Sequence, residues 1–345
     1  MIALKCYTFV IEVKTMNKKK VGVVCGGASS EHQISLQSGE TVFTHLDRGR
    51  WEVFRIVLSK ETWTATDDAK NTYSVSKGDF SLHCSGAVVH LDLIFNLVHG
   101  SMGENGQLAA LWELLEIPFS SCDSYNAALT FNKRDCLSVL REWQIPTAKH
   151  YSLNQGDLLD AETIVTQVGL PCFVKANRAG SSFGVYKVHQ KEELIPAIEK
   201  AFAEDSQILI ESALEGREFS VGVAAFDRET HVLPITEICT ENEFFDYAAK
   251  YEGQAQEITP AIISKDWEKS LVELSKKIYT KMGLKGVVRS EYIVVNEVPH
   301  LLEINTVPGM TAKSIIPQQV EALGMELSHF LTKILEETEH HFKSN

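Results

Sequence analysis

Hydrophobic and polar residues alternate along the chain in blocks that predict a strand followed by a helix, repeatedly. The run "VGVVCGG" is continuously apolar and ends in glycines, and a helical pattern follows it for which Ser29 and Ser30 are the expected N-terminal caps. "LDLIFNLVHG" is a second apolar strand, followed across "SMGENG" by the helical "QLAALWELLEI". This alternation predicts an α/β fold with an open, mainly parallel sheet over residues 16–120.

The rest of the chain divides into two further units. A helix around "NKRDCLSVLREWQ", the hairpin "PCFVKANRAGSSFGVYKV" and the strand "QILIESAL" predict a middle unit over residues 121–214. From residue 215 to 345 the pattern predicts longer strands, a helix at about 266–282 and a second hairpin.

Residues 1–15 are apolar enough to be compared with a signal peptide. Glu12 and Lys14 interrupt the run, and no small-residue cleavage site follows. The stretch is also too short to span a membrane. We therefore expect an extension, with the first strand beginning after Met16.

Composition limits the classes of function. The 345 residues are 44% hydrophobic and 23% charged, as in a globular protein with substantial cores. The net charge of -13 argues against nonspecific binding to nucleic acid or to an anionic membrane, since both need a basic surface. Seven scattered cysteines without CxxC or Cys/His ligand spacing are typical of reduced thiols, which predicts a cytoplasmic protein.

The hairpin "VVRSEYIVVNEVPHLLEINT" carries charge where a core strand would carry aliphatic residues. Residues two apart on a strand share a face, as Arg289 does with Glu291 and Glu303 with Asn305. If the strands pair antiparallel through "NEVPH", one face holds two carboxylates, an amide and a guanidinium, and such oxygen ligands suit Mg²⁺. The alternative is a solvated outer face that carries a salt bridge.

A second candidate site is the loop in "KANRAGSSFGV". The strand that ends near Lys175 leads into a Gly/Ser loop whose backbone N–H groups and hydroxyls suit phosphate oxygens. The alternative is a simple turn, and the sequence GxxxxGK[ST] is absent from the chain. "GGASSEHQIS" leaves the same choice open between a turn and a ligand site.

Five stretches in this order carry a family resemblance: "GGASSEHQISLQSG", "HGSMGENGQL", "KANRAGSSFGV", "FFDYAAKY" and "LLEINTVPGMT". Together they resemble the D-alanine:D-alanine ligases of the ATP-grasp superfamily, from about Met16 to residue 320. The resemblance implies an N-terminal α/β domain followed by a two-domain ATP-grasp fold. It also implies that ATP phosphorylates one D-alanine to an acyl phosphate, which the amine of a second D-alanine attacks to give a peptidoglycan precursor.

The resemblance further implies a role for each matching residue. Lys133, Lys175, Ser182 and Lys250 correspond to phosphate contacts, Glu211 and Leu214 to adenine contacts, and Glu218 to a ribose contact. Glu303 would bridge two Mg²⁺ ions, or Mn²⁺ in their place, with Glu291 and Asn305 each completing one site. Arg289 and the N–H of Gly309 would hold the oxyanion. Glu31, with His99 nearby, would anchor the first D-alanine, Ser181 and Tyr251 would hydrogen-bond to Glu31, and Ser314 would bind the carboxylate of the second substrate.

Two departures from the family and two alternatives accompany this expectation. Ala176 follows Lys175 where the family usually has Pro, which leaves the entry to the loop less constrained. Glu291 stands where the family more often has Asp, which lengthens that ligand by one methylene. Another carboxylate–amine ligase of the superfamily would lack the matched Glu31, His99 and Tyr251. A non-catalytic nucleotide-binding regulator would be expected to have lost a metal ligand or Lys175. A homodimer is a further expectation from the family.

Overall fold

A computed structural model describes residues 18–180, 184–240 and 255–344 of the chain. Its strands are β1 Lys19–Gly26, β2 Trp51–Leu58, β3 Trp63–Thr66, β4 Thr72–Val75, β5 Leu82–Cys84, β6 Ala87–Val89, β7 Leu93–Asn96, β8 His150–Asn154, β9 Cys172–Ala176, β10 Val185–Val188, β11 Gln207–Ser212, β12 Arg217–Phe226, β13 Glu229–Val232, β14 Thr236–Thr240, β15 Ala255–Ile258, β16 Val287–Val295 and β17 Val298–Asn305. Its helices are α1 His32–His45, α2 Ser101–Glu104, α3 Gln107–Leu114, α4 Ser124–Phe131, α5 Lys133–Glu142, α6 Ala161–Val168, α7 Lys191–Phe202, α8 Lys265–Met282, α9 Ile315–Ala322 and α10 Leu327–Ser344.

The first sheet has the strand order β6-β5-β4-β3-β2-β1-β7. One end of this sheet confirms the predicted α/β arrangement, because β1 pairs in parallel with both β2 and the edge strand β7. The strands from β2 to β6 form an antiparallel meander that extends the sheet on one side. The mainly parallel sheet was therefore predicted correctly only for three strands. Short connections, such as the one between Leu58 and Trp63, leave no room for the helical crossover that parallel strands need.

Two further sheets follow along the chain. The second has the order β10-β9-β11-β8, and its β9–β10 hairpin is the predicted one. The third has the order β15-β14-β12-β16-β17, with β13 paired to β12. Its β16–β17 hairpin is also confirmed, although the turn is tighter than expected: Asn296 and Glu297 alone make it, both with positive φ.

Helix α1 begins differently from the prediction. Its N-cap residue is Glu31, which makes no side-chain cap hydrogen bond, so the expected capping by Ser29 or Ser30 was wrong. The hydroxyl of Ser29 instead donates to the carbonyl of His99 over 2.8 Å and accepts the N–H of Glu31 over 3.3 Å. The loop before α1 is thereby tied to the loop that follows β7.

A shared hydrophobic core joins the first and third sheets. Val23 and Phe95 of the first sheet belong to the same buried cluster as Phe226 of the third and Phe330 and Leu335 of α10. The C-terminal helix thus packs between the two sheets, against the edge strand β7 of the first and the central strand β12 of the third. Each fully buried side chain of this kind stabilises the arrangement by about 1.5–3 kcal/mol.

The cysteines behave as core residues. The six that lie in the described ranges are free thiols, and four of them are buried. Burial raises the pKa of Cys25 to about 11 and that of Cys122 to about 12, which keeps both thiols protonated. Across the same ranges, every helix is too short or too polar to cross a lipid bilayer.

Candidate active site

Two adjoining cavities lie where the three sheets meet. The first has a volume of about 530 Å³ and the second about 510 Å³, and the two share Lys133, Ala179, Gly180 and Glu303 in their walls. Thirteen of the seventeen residues singled out in the sequence lie within the described ranges, and all thirteen line one cavity or both. Those of the first cavity are Glu31, His99, Lys133, Arg289, Glu303, Asn305, Gly309 and Ser314. Those of the second cavity are Lys133, Lys175, Glu211, Leu214, Glu218, Glu291 and Glu303. The other four, Ser181, Ser182, Lys250 and Tyr251, lie outside the described residues.

The β16–β17 hairpin places four polar residues side by side, through the alternation within each strand and a register shift between Glu291 and Tyr292. Arg289 pairs with Asn305 and Glu291 with Glu303 in the antiparallel register. The face is not a solvated surface, because Glu291 is only 4% exposed and its carboxylate accepts a 2.8 Å hydrogen bond from Arg289 Nη2. The hairpin therefore forms the floor between the two cavities.

The carboxylates of this floor fit a divalent cation that also binds phosphate oxygens. Glu291 and Glu303 are opposite each other across the strands, and Asn305 lies two residues beyond Glu303. The described residues contain no group of three or more His, Cys, Asp or Glu side chains that could hold a metal ion. Two carboxylates and an amide form an incomplete shell of the kind that Mg²⁺ completes with water and substrate phosphates. The oxygen donors of Glu291, Glu303 and Asn305 therefore fit Mg²⁺, provided that water and substrate phosphates supply its remaining ligands.

Two lysines bring positive charge to the same junction. Lys133 Nζ donates to the carbonyl of Ala179 over 2.7 Å and lies 3.2 Å from Glu303 Oε2. Lys175 Nζ lies 2.7 Å from Glu211 Oε2. Burial alone would lower the pKa of Lys175, but the charge of Glu211 and its hydrogen bond raise it, with a contribution from Glu303. Lys175 is therefore a permanent cation inside the second cavity.

Glu31 and His99 form another part of the wall of the first cavity. A Cβ atom placed on Gly100 or on Gly180 would lie 2.8 Å from Glu31 Oε2, so both backbones pass directly beside this carboxylate. His99 is 4% exposed, and burial lowers its pKa, against the charge of Glu31, which raises it. A neutral imidazole and a carboxylate thus line the first cavity beside the Gly180 backbone.

The loop after β17 completes the first cavity. Its Gly309 approaches Ser314 so closely that an added Cβ would lie 2.8 Å from Ser314 Oγ. The hydroxyl of Ser314 accepts the N–H of Thr311 over 3.1 Å, directly before α9 begins. Glycine at 309 leaves its backbone accessible to a ligand in the cavity.

Two acidic residues of the first cavity were missed in the sequence. Glu104 lies in "SMGENG", which was interpreted as a connection between a strand and a helix, and burial together with the charge of Glu31 raises its pKa to about 8. Glu257 lies on β15, a strand of only four residues. Glu104 ends the short helix α2, three residues before α3, and its charge in the Gly-rich "SMGENG" was a signal that could have been noticed. Nothing in "AQEI" identifies Glu257.

Comparisons with known proteins agree over most of the chain. A family profile described as "D-ala D-ala ligase N-terminus" matches residues 20–122, and one described as "D-ala D-ala ligase C-terminus" matches residues 139–336. The D-alanine--D-alanine ligase of Flavobacterium johnsoniae is 48% identical over 318 residues, which cover 92% of this chain and 98% of that relative.

Solved structures give the same answer. The D-alanyl-alanine synthetase A from Vibrio cholerae superposes with a TM-score of 0.83 at 28% identity, covering 94% of this chain and 99% of that one. The D-alanine--D-alanine ligase from Bacillus anthracis complexed with ATP superposes with a TM-score of 0.76 at 28% identity, covering 95% and 99%. Sequence and fold coincide over both matched domains, and this chain therefore belongs to the D-alanine:D-alanine ligase family.

Proposed function

We propose that this protein joins two D-alanines into D-alanyl-D-alanine at the expense of ATP, for the synthesis of peptidoglycan precursors. The observation that carries the proposal is the junction of two cavities at Lys133 and Glu303, one lined for a nucleotide and the other for amino acids. A phosphoryl group bound at the end of the second cavity would face a carboxylate bound in the first. This is the arrangement that formation of an acyl phosphate requires.

The second cavity would bind ATP. Glu211 and Leu214 would contact the adenine, Glu218 the ribose, and Lys133 and Lys175 the phosphates. A solved relative of the same fold is described as complexed with ATP, which supports this assignment. The buried cationic state of Lys175 suits a triphosphate, since a charge in a poorly solvated site interacts more strongly than one in water.

Glu291, Glu303 and Asn305 would hold two Mg²⁺ ions, with Mn²⁺ as a substitute. When bound, these cations would neutralise charge on the transferring phosphoryl group. The chain's own contribution is to keep the two carboxylates opposite each other on a paired hairpin, so that little reorganisation is needed when the metal binds.

The first cavity would bind both amino acids. Glu31 would anchor the ammonium of the first D-alanine, with His99 as a neutral neighbour that adds no competing charge. Ser314 would bind the carboxylate of the second D-alanine. Its ammonium would first lose a proton to solvent, and the resulting amine would attack the acyl carbon. The carbonyl oxygen would gain negative charge held by Arg289 and the N–H of Gly309. The nitrogen would then give up a second proton to solvent, and the C–O bond to phosphate would break.

The remaining expectations concern other parts of the molecule. Contacts from Ser181 and Tyr251 to Glu31, and from Ser182 and Lys250 to the phosphates, involve residues outside the described ranges and stay predictions. So do the domain boundaries at residues 120 and 214, a homodimeric state and a cytoplasmic location.

The decisive experiment measures ATP-dependent phosphate release with D-alanine, L-alanine, D-serine and D-lactate, and identifies the products by mass. We expect release that depends on D-alanine and a product with the mass of D-alanyl-D-alanine. The variant to compare with the wild type is Glu303→Gln. It should remain folded but lose turnover, because losing one charge from a shared metal ligand costs several kcal/mol of transition-state stabilisation. Normal activity of this variant at saturating ATP and Mg²⁺ would refute the metal assignment. Nucleotide binding without turnover by the wild type would favour a regulator instead.

A further inference from the structure

Glu257 lies on the same face of the third sheet as the residues assigned to ATP and metal. In the register, Glu257 pairs with Ile238, Ile238 with Glu218, and Glu218 with Ile293. Paired residues point to the same side of a sheet, and residues two apart do as well. Glu257 therefore shares its side with Glu218 and, two residues before Ile293, with Glu291.

The carboxylate of Glu257 enters the first cavity rather than the second. It lines that cavity together with Arg289, Gly309, Lys313 and Ser314, at the end where the second amino acid would bind. The roles assigned above do not include this acid. Its strand, β15, lies at the edge of the sheet, and β14 and β12 separate it from the metal-binding hairpin. An acid in a ligand cavity that forms no ion pair with another of the described residues suggests a ligand group.

A neighbouring amide holds Glu257 in place. Gln318 Nε2, on α9, donates to Glu257 Oε2 over 2.5 Å and to the backbone carbonyl of Lys313 over 2.9 Å. The second acceptor fixes the orientation of the Gln318 amide, so its N–H group points at the carboxylate. The side chain is thus positioned by α9, the helix that begins directly after Ser314.

The charges around Glu257 leave it in need of a cation. Burial raises its pKa, while the hydrogen bond from Gln318 and the charge of Arg289 lower it and the charge of Glu291 raises it. Arg289 already donates to Glu291 over 2.8 Å, so its charge is shared between two carboxylates. Lys313 also lines this cavity. A cationic ligand bound here would offset the cost of burying the acid.

We propose that Glu257 binds the ammonium of the second amino acid and thereby selects an amino acid over a hydroxy acid as the attacking substrate. This inference rests on the proposed ligase activity and adds a specificity-determining residue to it. Ser314 would hold the carboxylate of that substrate and Glu257 its nitrogen, which gives two fixed points beside Arg289 and Gly309. A hydroxy acid such as D-lactate offers no positive charge to Glu257, whereas D-alanine does.

The test measures competition between D-alanine and D-lactate for the second site, in the wild type and in Glu257→Gln, with dipeptide and depsipeptide separated by mass. Because a hydrogen bond to a charged group is lost, we expect the KM of the second D-alanine to rise about tenfold or more, and the ratio of dipeptide to depsipeptide to fall by a similar factor. Glu257→Asp, which keeps the charge, should retain most of the selectivity. Glu268→Gln, an exposed acid in the first turn of α8, is the matched control and should behave as the wild type.

Two further measurements keep the inference separable from the general activity. Gln318→Leu leaves the acid in place but removes the group that orients it, and should raise the KM of the second D-alanine with unchanged ATP binding. An unaltered product ratio in Glu257→Gln, or an unaltered KM in Gln318→Leu, would overturn the role of Glu257 even if the wild type makes the dipeptide. Failure of the wild type to make any dipeptide would instead overturn the proposed function.

Discussion

His99 Nδ1 is hydrogen-bonded to the backbone carbonyl of Val307, 208 residues further along the chain, over 2.9 Å. A carbonyl can only accept, so Nδ1 carries the proton and Nε2 is left to accept from the hydroxyl of Ser38 over 3.0 Å. The same hydroxyl oxygen accepts the N–H of Met310 over 3.1 Å. This chain of bonds attaches the loop that carries Gly309 to the first sheet and to α1.

Replacing Ser38 with alanine tests this attachment. The variant leaves the N–H of Met310 and Nε2 of His99 buried without their shared partner, which should lower the free energy of unfolding by about 1–3 kcal/mol. Because Met310 follows Gly309, we also expect kcat to fall by about tenfold, less than the loss on removing an oxyanion donor outright. Urea unfolding and kcat at saturating substrates are the measurements.

Ser35 offers a matched control on the same helix. Its buried hydroxyl accepts the N–H of Gly26 over 2.7 Å and donates to the carbonyl of Leu97 over 2.6 Å, so it joins β1 to the end of β7 instead. Ser35→Ala should lose a similar amount of stability and keep kcat within about twofold. Equal kcat values in the two variants would show that Ser38 has no special link to the Gly309 loop.

The buried imidazole of His99 predicts that stability depends on pH. Burial lowers the pKa of His99, whereas in the unfolded chain a histidine titrates near its ordinary value of about 6.5. Below that value the unfolded state binds a proton that the folded state does not, so this contribution to stability is lost as pH falls from about 7 to 5.5. The expected slope is at most about 1.4 kcal/mol per pH unit.

His99→Gln supplies the comparison, because glutamine does not titrate. The free energy of unfolding, measured in urea at pH 7.5 and at pH 5.5, should decrease less between the two values in the variant than in the wild type. Identical decreases would mean that the pKa of His99 is the same in the folded and unfolded protein.

The sequence predicted the floor of the site well and its edges poorly, for physical reasons. Alternation alone puts Arg289 with Glu291 on one strand and Glu303 with Asn305 on the other, but a register shift between Glu291 and Tyr292 is what brings Glu291 opposite Glu303, and no alternation pattern predicts that shift. Glu257 could not be found in this way, since a four-residue strand is too short for its alternation to be distinguished from chance. The pairing of His99 with Val307 depends on tertiary packing, which no local pattern encodes.

Gly180 provides a test of the site where the phosphate loop meets the first sheet. A Cβ atom at this position would lie 2.8 Å from Glu31 Oε2, closer than such contacts occur. Gly180→Ala should therefore displace the carboxylate and raise the KM of the first D-alanine by about tenfold or more, because ligand contacts need positioning to within a fraction of an ångström. ATP binding should change little.

Gly78→Ala makes the same substitution where the nearest atom of Ser76 would be 3.8 Å away, and should leave all constants unchanged. If Gly180→Ala behaved like this control, the approach of the loop to Glu31 would have no part in binding the first substrate.

Glu291 permits the sharpest test of the floor of the site, because charge and length can be varied separately. Its carboxylate accepts a hydrogen bond from Arg289 Nη2 and is nearly fully buried, so it serves both the guanidinium and the expected metal. Glu291→Asp shortens the side chain by one methylene and keeps the charge, and should retain activity within about tenfold of the wild type, with a shifted dependence on Mg²⁺ concentration.

Glu291→Gln keeps the length but removes the charge, leaving Arg289 beside a neutral partner, which is costly for a buried ion pair. A hard cation also binds a carboxylate far better than an amide. We therefore expect kcat at saturating ATP to fall at least about a hundredfold in the glutamine variant, and raising Mg²⁺ should recover activity in the aspartate variant only. Equal activity of the two variants across the Mg²⁺ range would exclude Glu291 as a metal ligand and leave it as the ion-pair partner of Arg289.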